Sequence, residues 1–247
     1  MVFKKKIRDV IIGAMGKLLT NIFDFFLPRI CPCCKSGLPV PEECICSKCF
    51  SKIKIAENEL LKIEYERDFK PKGYISDFTS AFVFEKDKEL QTLVHELKYN
   101  KRFLNGVFLG KQIAGLRKGL IEDWNIDLII PIPLHRLKLA ERGYNQAYYI
   151  SKGLSKKLNT SLRSKIIKRK KFTQTQTKLT RKEREENLTG AFKLSGKSKI
   201  LDKKNVLIVD DVITTGATTN ECAKVLLSAG AKKVYAASAA IAEFKTE

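Results

Sequence analysis

Two groups of residues in this chain have types and spacings suited to chemistry. The first is a pair of adjacent carboxylates, Asp210 and Asp211, followed by Thr214, Thr215, Gly216, Ala217, Thr218 and Thr219. Two neighbouring acids can accept hydrogen bonds from the paired hydroxyls of a sugar, or help to hold Mg²⁺. A Thr- and Gly-rich turn leading into a helix offers backbone N–H groups, hydroxyl donors and the positive end of the helix dipole, which together suit a phosphate. Gly216 lets the backbone approach closely or take a positive φ. The sum is a site for a phosphorylated sugar. The second group is the cysteines, six of seven falling between positions 31 and 49. Two Cys-x-x-Cys knuckles can be drawn, Cys31/Cys34 and Cys46/Cys49, separated by eleven residues. Paired knuckles place four thiolates tetrahedrally around Zn²⁺, in a closed and therefore structural site. Cys33 and Cys44 are surplus and could serve as alternates. A disulfide cluster would require a secreted chain, and no signal peptide supports one.

Each group needs elements to position it. Val206-Leu207-Ile208-Val209 is apolar without helical period and reads as a strand buried on both faces, as in a parallel sheet. An amphipathic helix over 217–228, with Ala223, Leu226 and Leu227 on one side, is stopped by Gly230. A second buried strand, 127–133, is followed by Arg136, Lys138 and Arg142. Ligands gather at the carboxyl ends of strands in a doubly wound sheet, so these cations are expected at the same cleft as Asp210, where they suit a pyrophosphate. His135 has the type of a catalytic base, though a hydrogen-bonding role is expected, and His95 on its helix is expected to be structural. Further elements are a strand at 74–84, helices at 89–99, 105–118 and 148–158, and a last strand at 233–241. Residues 161–184 hold ten basic side chains and one acid, Glu183. A strand at 165–169 and then a mobile loop are expected, able to close over a diphosphate or to lie along a nucleic-acid backbone. Residues 50–72 read as a charged linker, and residues 4–26 as an amphipathic helix that packs on the protein or touches a membrane surface.

Composition bounds the rest. The 247 residues allow one sizeable α/β domain with a small appendage, and an apolar fraction of 44% excludes a disordered chain. Lys and Arg number 47 against 27 acids, a formal net charge of +20. That excess points to a polyanion such as nucleic acid or an anionic membrane, with solubility in a Lys-rich proteome as the plain alternative. No stretch reaches the roughly 18 apolar residues of a membrane-spanning helix. No GxxxxGK[ST] accompanies the strand ending in two acids, which excludes a P-loop triphosphatase.

VLIVDDVITTGATT resembles the signature of the type I phosphoribosyltransferase superfamily. The fuller series FLPRICPCC, the four-cysteine knuckle, HELKYNKR, PIPLHRLKLAERGYNQA, TQTQTKLTRKEREENLTGAF and VLIVDDVITTGATT resembles the ComF family of competence proteins. The resemblance, which runs from about Phe26 to Ile241, implies a phosphoribosyltransferase-like parallel sheet with flanking helices over 73–247 and a zinc-finger segment and linker over 31–72; residues 1–30 are assigned to the N-terminal helix from their own pattern. It implies that Asp210, Asp211, Thr214, Thr215, Gly216, Ala217 and Thr218 bind phosphoribosyl pyrophosphate (PRPP) with Mg²⁺. Arg136 and Arg142 would lie near the pyrophosphate, and Cys31, Cys34, Cys46 and Cys49 would ligate a structural zinc. It further implies a bacterial cytoplasmic protein of natural transformation, handling single-stranded DNA beside recombination or DNA-uptake proteins. The alternative is an active transferase, moving phosphoribosyl from PRPP to a nitrogen nucleophile, with Asp210 and Asp211 stabilising charge on the ribose. The chain ends six residues after Ile241, with Phe244 as the only aromatic there, which favours binding over transfer.

Overall fold

The computed structural model describes residues 29–171, 183, 187–196 and 198–242. The chain forms two compact units, divided between Lys52 and Ile53. The expected N-terminal helix at 4–26 lies outside the described residues.

Among the described residues, the first unit buries few apolar side chains. An antiparallel bridge between Ile30 and Gly37 closes a turn in which Cys31 N donates to Ser36 O and Lys35 N to Cys31 O. Helix α1 (Ser47–Phe50) follows, its start capped by the Cys46 sulfur, which accepts from Cys49 N. Cys31, Leu38, Cys44, Ile45, Cys46 and Cys49 are the buried apolar side chains. A cluster this small gains from a cross-link or a metal.

The second unit runs through α2 (Asn58–Asp68), a 3₁₀ turn at Lys70–Lys72, β1 (Phe78–Phe84), α3 (Glu89–Tyr99), α4 (Phe103–Leu116), α5 (Lys118–Asp123), β2 (Leu128–Pro131), α6 (Arg136–Arg142), α7 (Gln146–Leu158), β3 (Ser161–Leu162), β4 (Ile167–Arg169), β5 (Phe192–Leu194), β6 (Asn205–Ile213), α8 (Ala217–Ser228) and β7 (Lys233–Ala242). Five strands make one parallel sheet in the order β1-β7-β6-β2-β3, while β4 and β5 pair antiparallel to each other. β6 is central, registered Leu128↔Val206 on one side and Ile208↔Ala236 on the other. Leu128, Ile130, Val206, Ile208, Val234 and Ala236 turn one way, into a core shared with Leu61 and Phe69 of the α2 region and Ala223 and Leu226 of α8. The alternate residues face the other side, where α4 packs on β7 and α7 on β2 and β6.

Helices α4 and α7 meet at backbone distance. A Cβ at Gly110 would lie 2.0 Å from Ile150 O, and one at Gly153 would lie 2.1 Å from Val107 O. Glycine at both positions lets the two helices carry the loop between α6 and α7 firmly against the sheet.

Three boundaries differ from expectation. The strand at the acid pair does not stop at Val209: β6 continues to Ile213, because Asp210 pairs with Ser238 and Val212 with Ala240 of β7. The helix expected over 105–118 breaks at Arg117, whose guanidinium leaves the helix to donate to Ser80 O at 2.9 Å, Asn58 Oδ1 at 2.9 Å and Ala56 O. Residues 53–72, grouped by sequence with the cysteine segment, pack inside the second unit, since Ala56, Leu61 and Phe69 enter its core. Among the described residues, no helix is long and apolar enough to cross a membrane.

Candidate functional site

The site is built at the end of β6. After Ile213 the chain turns through Thr214 and Thr215 to Gly216, which adopts φ +65° as N-cap of α8. No side chain caps this helix, and its first bond runs from Asn220 N to Gly216 O. The N–H groups of the first turn therefore point outward without intrahelical partners. Asp210, Val212 to Thr219 and Leu188 line a recess of about 30 Å³ at this point. That is room for a small anionic group rather than for a whole nucleotide. The turn is buttressed from below. A Cβ at Gly216 would lie 2.7 Å from Phe69 Cε1, and Asn220 Nδ2 donates to Asp68 O at 2.9 Å.

The two acids occupy unlike environments. Asp211 is buried; its Oδ1 accepts from Val212 N at 2.8 Å, and its Oδ2 meets Lys98 Nζ at 2.5 Å. Asp210 Oδ1 accepts from Asp211 N at 2.9 Å. Burial, reinforced by the charge of Asp211, pushes Asp210 up to about 8. Burial would raise Asp211 as well, but the Lys98 ammonium outweighs it and holds this carboxyl below its ordinary value. The pair thus shares one proton near neutrality, as close carboxylates do.

Four cations from three elements, Lys98 of α3, Lys138 and Arg142 of α6 and Arg169 of β4, gather around the pair. Arg142, at the end of α6, donates to Gln146 Oε1, and its guanidinium lies 5.5 Å from the centre of the Tyr99 ring. Its charge is felt at Lys98 and at Lys138. Burial, then the charges of Arg169 and Arg142, lower Lys138. Burial also lowers Arg169, opposed by Cys222 and Asp210.

The motif around Arg142 is a set of local caps. Gly143 takes φ +80° to end α6. The Tyr144 hydroxyl donates to Leu97 O, and Asn145 caps α7 by accepting from Ala147 N at 3.0 Å while donating to Ile132 O at 2.9 Å. Arg136 lines a groove of about 720 Å³ with Tyr144, Tyr148, Tyr149, Lys165, Lys168 and Arg169. Tyr149 in turn stacks on Phe103 with ring centres 4.6 Å apart. His135 is structural as expected: Nδ1 accepts from Leu137 N at 3.3 Å to cap α6, and Nε2 bonds Lys170 O at 3.1 Å. His95 is exposed beside Tyr99. Strand β4 covers the end of the stretch expected as a strand, while the polar centre at 173–177 lies outside the described residues.

In the first unit, the Sγ atoms of Cys31, Cys34, Cys46 and Cys49 all lie within 4.8 Å of one another, and Cys34 and Cys46 approach to 3.7 Å. Zinc–thiolate bonds of about 2.3 Å give tetrahedral S···S edges of about 3.8 Å, so the set fits Zn²⁺. Cys33 and Cys44 stand outside this group. Hydrogen bonds from Ser36 lower Cys34 to about 6, whereas burial and the neighbouring thiols push Cys49 well up.

Sequence reasoning missed Lys98, Phe69 and Asn220 as parts of the site. Lys98 stood within a quoted motif, HELKYNKR, but nothing local pointed it at Asp211.

The phosphoribosyl transferase domain family matches residues 108–243, more than half of the chain. Competence protein F of Haemophilus influenzae is 42% identical over 108 residues, 44% of this chain and 47% of that protein. The DNA utilization protein YhgH of Salmonella typhimurium is 32% identical over 170 residues, 65% of this chain and 67% of its own. The amidophosphoribosyltransferase of Escherichia coli is 34% identical over 152 residues, 58% of this chain and 25% of that enzyme. The chain thus spans less than half the length of competence protein F. With the matched domain, the parallel sheet and the four-cysteine cluster together, the chain belongs to the phosphoribosyl transferase domain family and, within it, to the ComF family.

Proposed function

We propose that this is a cytoplasmic protein of natural transformation that binds PRPP with Mg²⁺ at the β6–α8 turn and single-stranded DNA along the basic, tyrosine-lined groove. The observation that carries the reading is the open turn of α8: an uncapped helix start, a glycine at φ +65° and threonine hydroxyls beside two carboxylates. The N–H groups and hydroxyls would take the 5-phosphate, and the acids the ribose diol. Mg²⁺, when bound with the diphosphate, would neutralise its charge. Arg142 and Lys138 would face that diphosphate. The role in DNA handling draws on the names of competence protein F and YhgH and on the groove itself. There, Tyr148 and Tyr149 offer stacking faces, and Arg136, Lys165 and Lys168 offer charge to a backbone. Zinc at Cys31, Cys34, Cys46 and Cys49 would hold the first unit folded.

Calorimetric titration of the zinc-loaded protein with PRPP and Mg²⁺ tests the site, beside Asp210→Ala and Asp211→Ala. Binding that both variants lose supports the reading; retained binding in both removes the acids from it. Transfer chemistry is the second reading, favoured by the cations gathered where a leaving diphosphate would sit. Release of pyrophosphate from PRPP on addition of a nitrogen nucleophile would establish it.

A further inference from the structure

The last turn of α3 bears on both charged halves of the site. Leu90, Leu93, Val94 and Leu97 bury one face of this helix, fixing its rotation. Three successive residues then reach in different directions. Leu97 O accepts the Tyr144 hydroxyl, Lys98 Nζ lies 2.5 Å from Asp211 Oδ2, and the Tyr99 ring lies under the Arg142 guanidinium. The Lys98 and Asp211 side chains are only 24% and 7% exposed, so the pair is poorly screened. Two adjacent carboxylates set in protein attract a cation strongly, and the ammonium already stands at that place. Lysine suits such a post, being a compact single charge with three donors.

We propose that Lys98 is a positioning residue of the phosphoribosyl site and the resident counter-cation of its acid pair. It orients Asp211, and it keeps the empty pair from recruiting a divalent cation before the sugar diphosphate arrives with one. The inference rests on the PRPP reading above and adds a residue outside the signature turn. The ion pair persists in the complex, where the arriving diphosphate and Mg²⁺ change the charge around the Lys98 ammonium.

The test compares wild type, Lys98→Met and Lys98→Arg by calorimetry with PRPP and Mg²⁺, and by Mn²⁺ electron paramagnetic resonance without PRPP. Methionine keeps the packing and removes the charge. It is expected to weaken PRPP binding by roughly 10- to 100-fold, the usual effect of removing a partner that orients a ligand, and arginine to recover most of the loss. Mn²⁺ alone is expected to bind Lys98→Met and not wild type. Unchanged PRPP affinity in Lys98→Met, or equal losses in the two variants, overturns the proposal. So does Mn²⁺ binding to wild type as strong as to Lys98→Met. Wild type that does not bind PRPP overturns the underlying reading as well, which distinguishes the two failures. Should Lys98→Met not fold, ¹³C-methylated lysines in wild type report instead. The Lys98 resonance, identified by its loss in Lys98→Arg, is expected to shift on adding PRPP and Mg²⁺, and a stationary signal overturns the proposal.

Discussion

Asp210 and Asp211 are the same residue type one position apart, yet their surroundings drive them to opposite behaviour. Asp210 ionises near 3.8 in an unfolded chain and only at about 8 in the folded one. Its folded value is raised, so its contribution is most favourable below the unfolded value and is lost as pH climbs towards the folded one. Asparagine mimics the protonated acid and removes that dependence. Thermal melts in chelator are therefore expected to show Asp210→Asn gaining stability over wild type progressively from about pH 4 to about pH 8, then no further. A gap that does not change with pH would mean that Asp210 is ionised throughout. The thiols of the first unit make a parallel case. Cys34, lowered to about 6, is already largely a thiolate at neutrality, whereas burial keeps Cys49 protonated. Zinc binding at pH 7 is expected to displace protons, that of the buried Cys49 among them, seen as a dependence of the calorimetric heat on buffer ionisation.

At the scale of elements, the site stands on two supports that the signature turn does not contain. One is the backbone contact of α4 with α7. Gly110→Ala would force a methyl to 2.0 Å from Ile150 O and push the helices apart. Urea unfolding is expected to show a loss of about 1–3 kcal/mol or more, the usual scale of overpacking. The other is Phe69 beneath Gly216. Gly216→Ala is destabilised twice, by its positive φ and by its contact with the ring. In a Phe69→Ala background the steric part disappears, so a double-mutant cycle is expected to give a coupling of about 1 kcal/mol or more. Strict additivity would show that the ring does not bear on the turn.

Over the whole molecule, the net charge of +20 becomes informative only where it is focused. Arg136, Lys165 and Lys168 line one groove with three tyrosines, while many other lysines are simply solvated. Neutralising those three is expected to reduce the slope of log affinity against log salt for single-stranded DNA by about 2, at roughly 0.7 per phosphate contact. An unchanged slope would remove the groove from any DNA site. The cysteine unit makes a separate prediction. Mass spectrometry is expected to find one zinc per chain, lost in Cys31→Ser and Cys49→Ser and kept in Cys33→Ser and Cys44→Ser, since the latter two sulfurs stand outside the cluster.

The sequence by itself determined what short-range rules encode. An apolar run must be a buried strand, and a Thr/Gly turn before a helical period must open a helix start. Gly143 and Asn145 end one helix and begin the next, and two Cys-x-x-Cys knuckles draw four sulfurs together. Each of these needs only neighbours within a few residues. Tertiary structure alone decided the partners. Phe69 lies under Gly216, Asn220 bonds the Asp68 carbonyl 152 positions away, and residues 53–72 join the sheet's core rather than the cysteines. Lys98 meets Asp211 across 113 positions, through the packing of α3 on α4 and the strand order β1-β7-β6-β2-β3. No local period carries that order. It follows from which apolar faces can be buried together, a property of the whole chain.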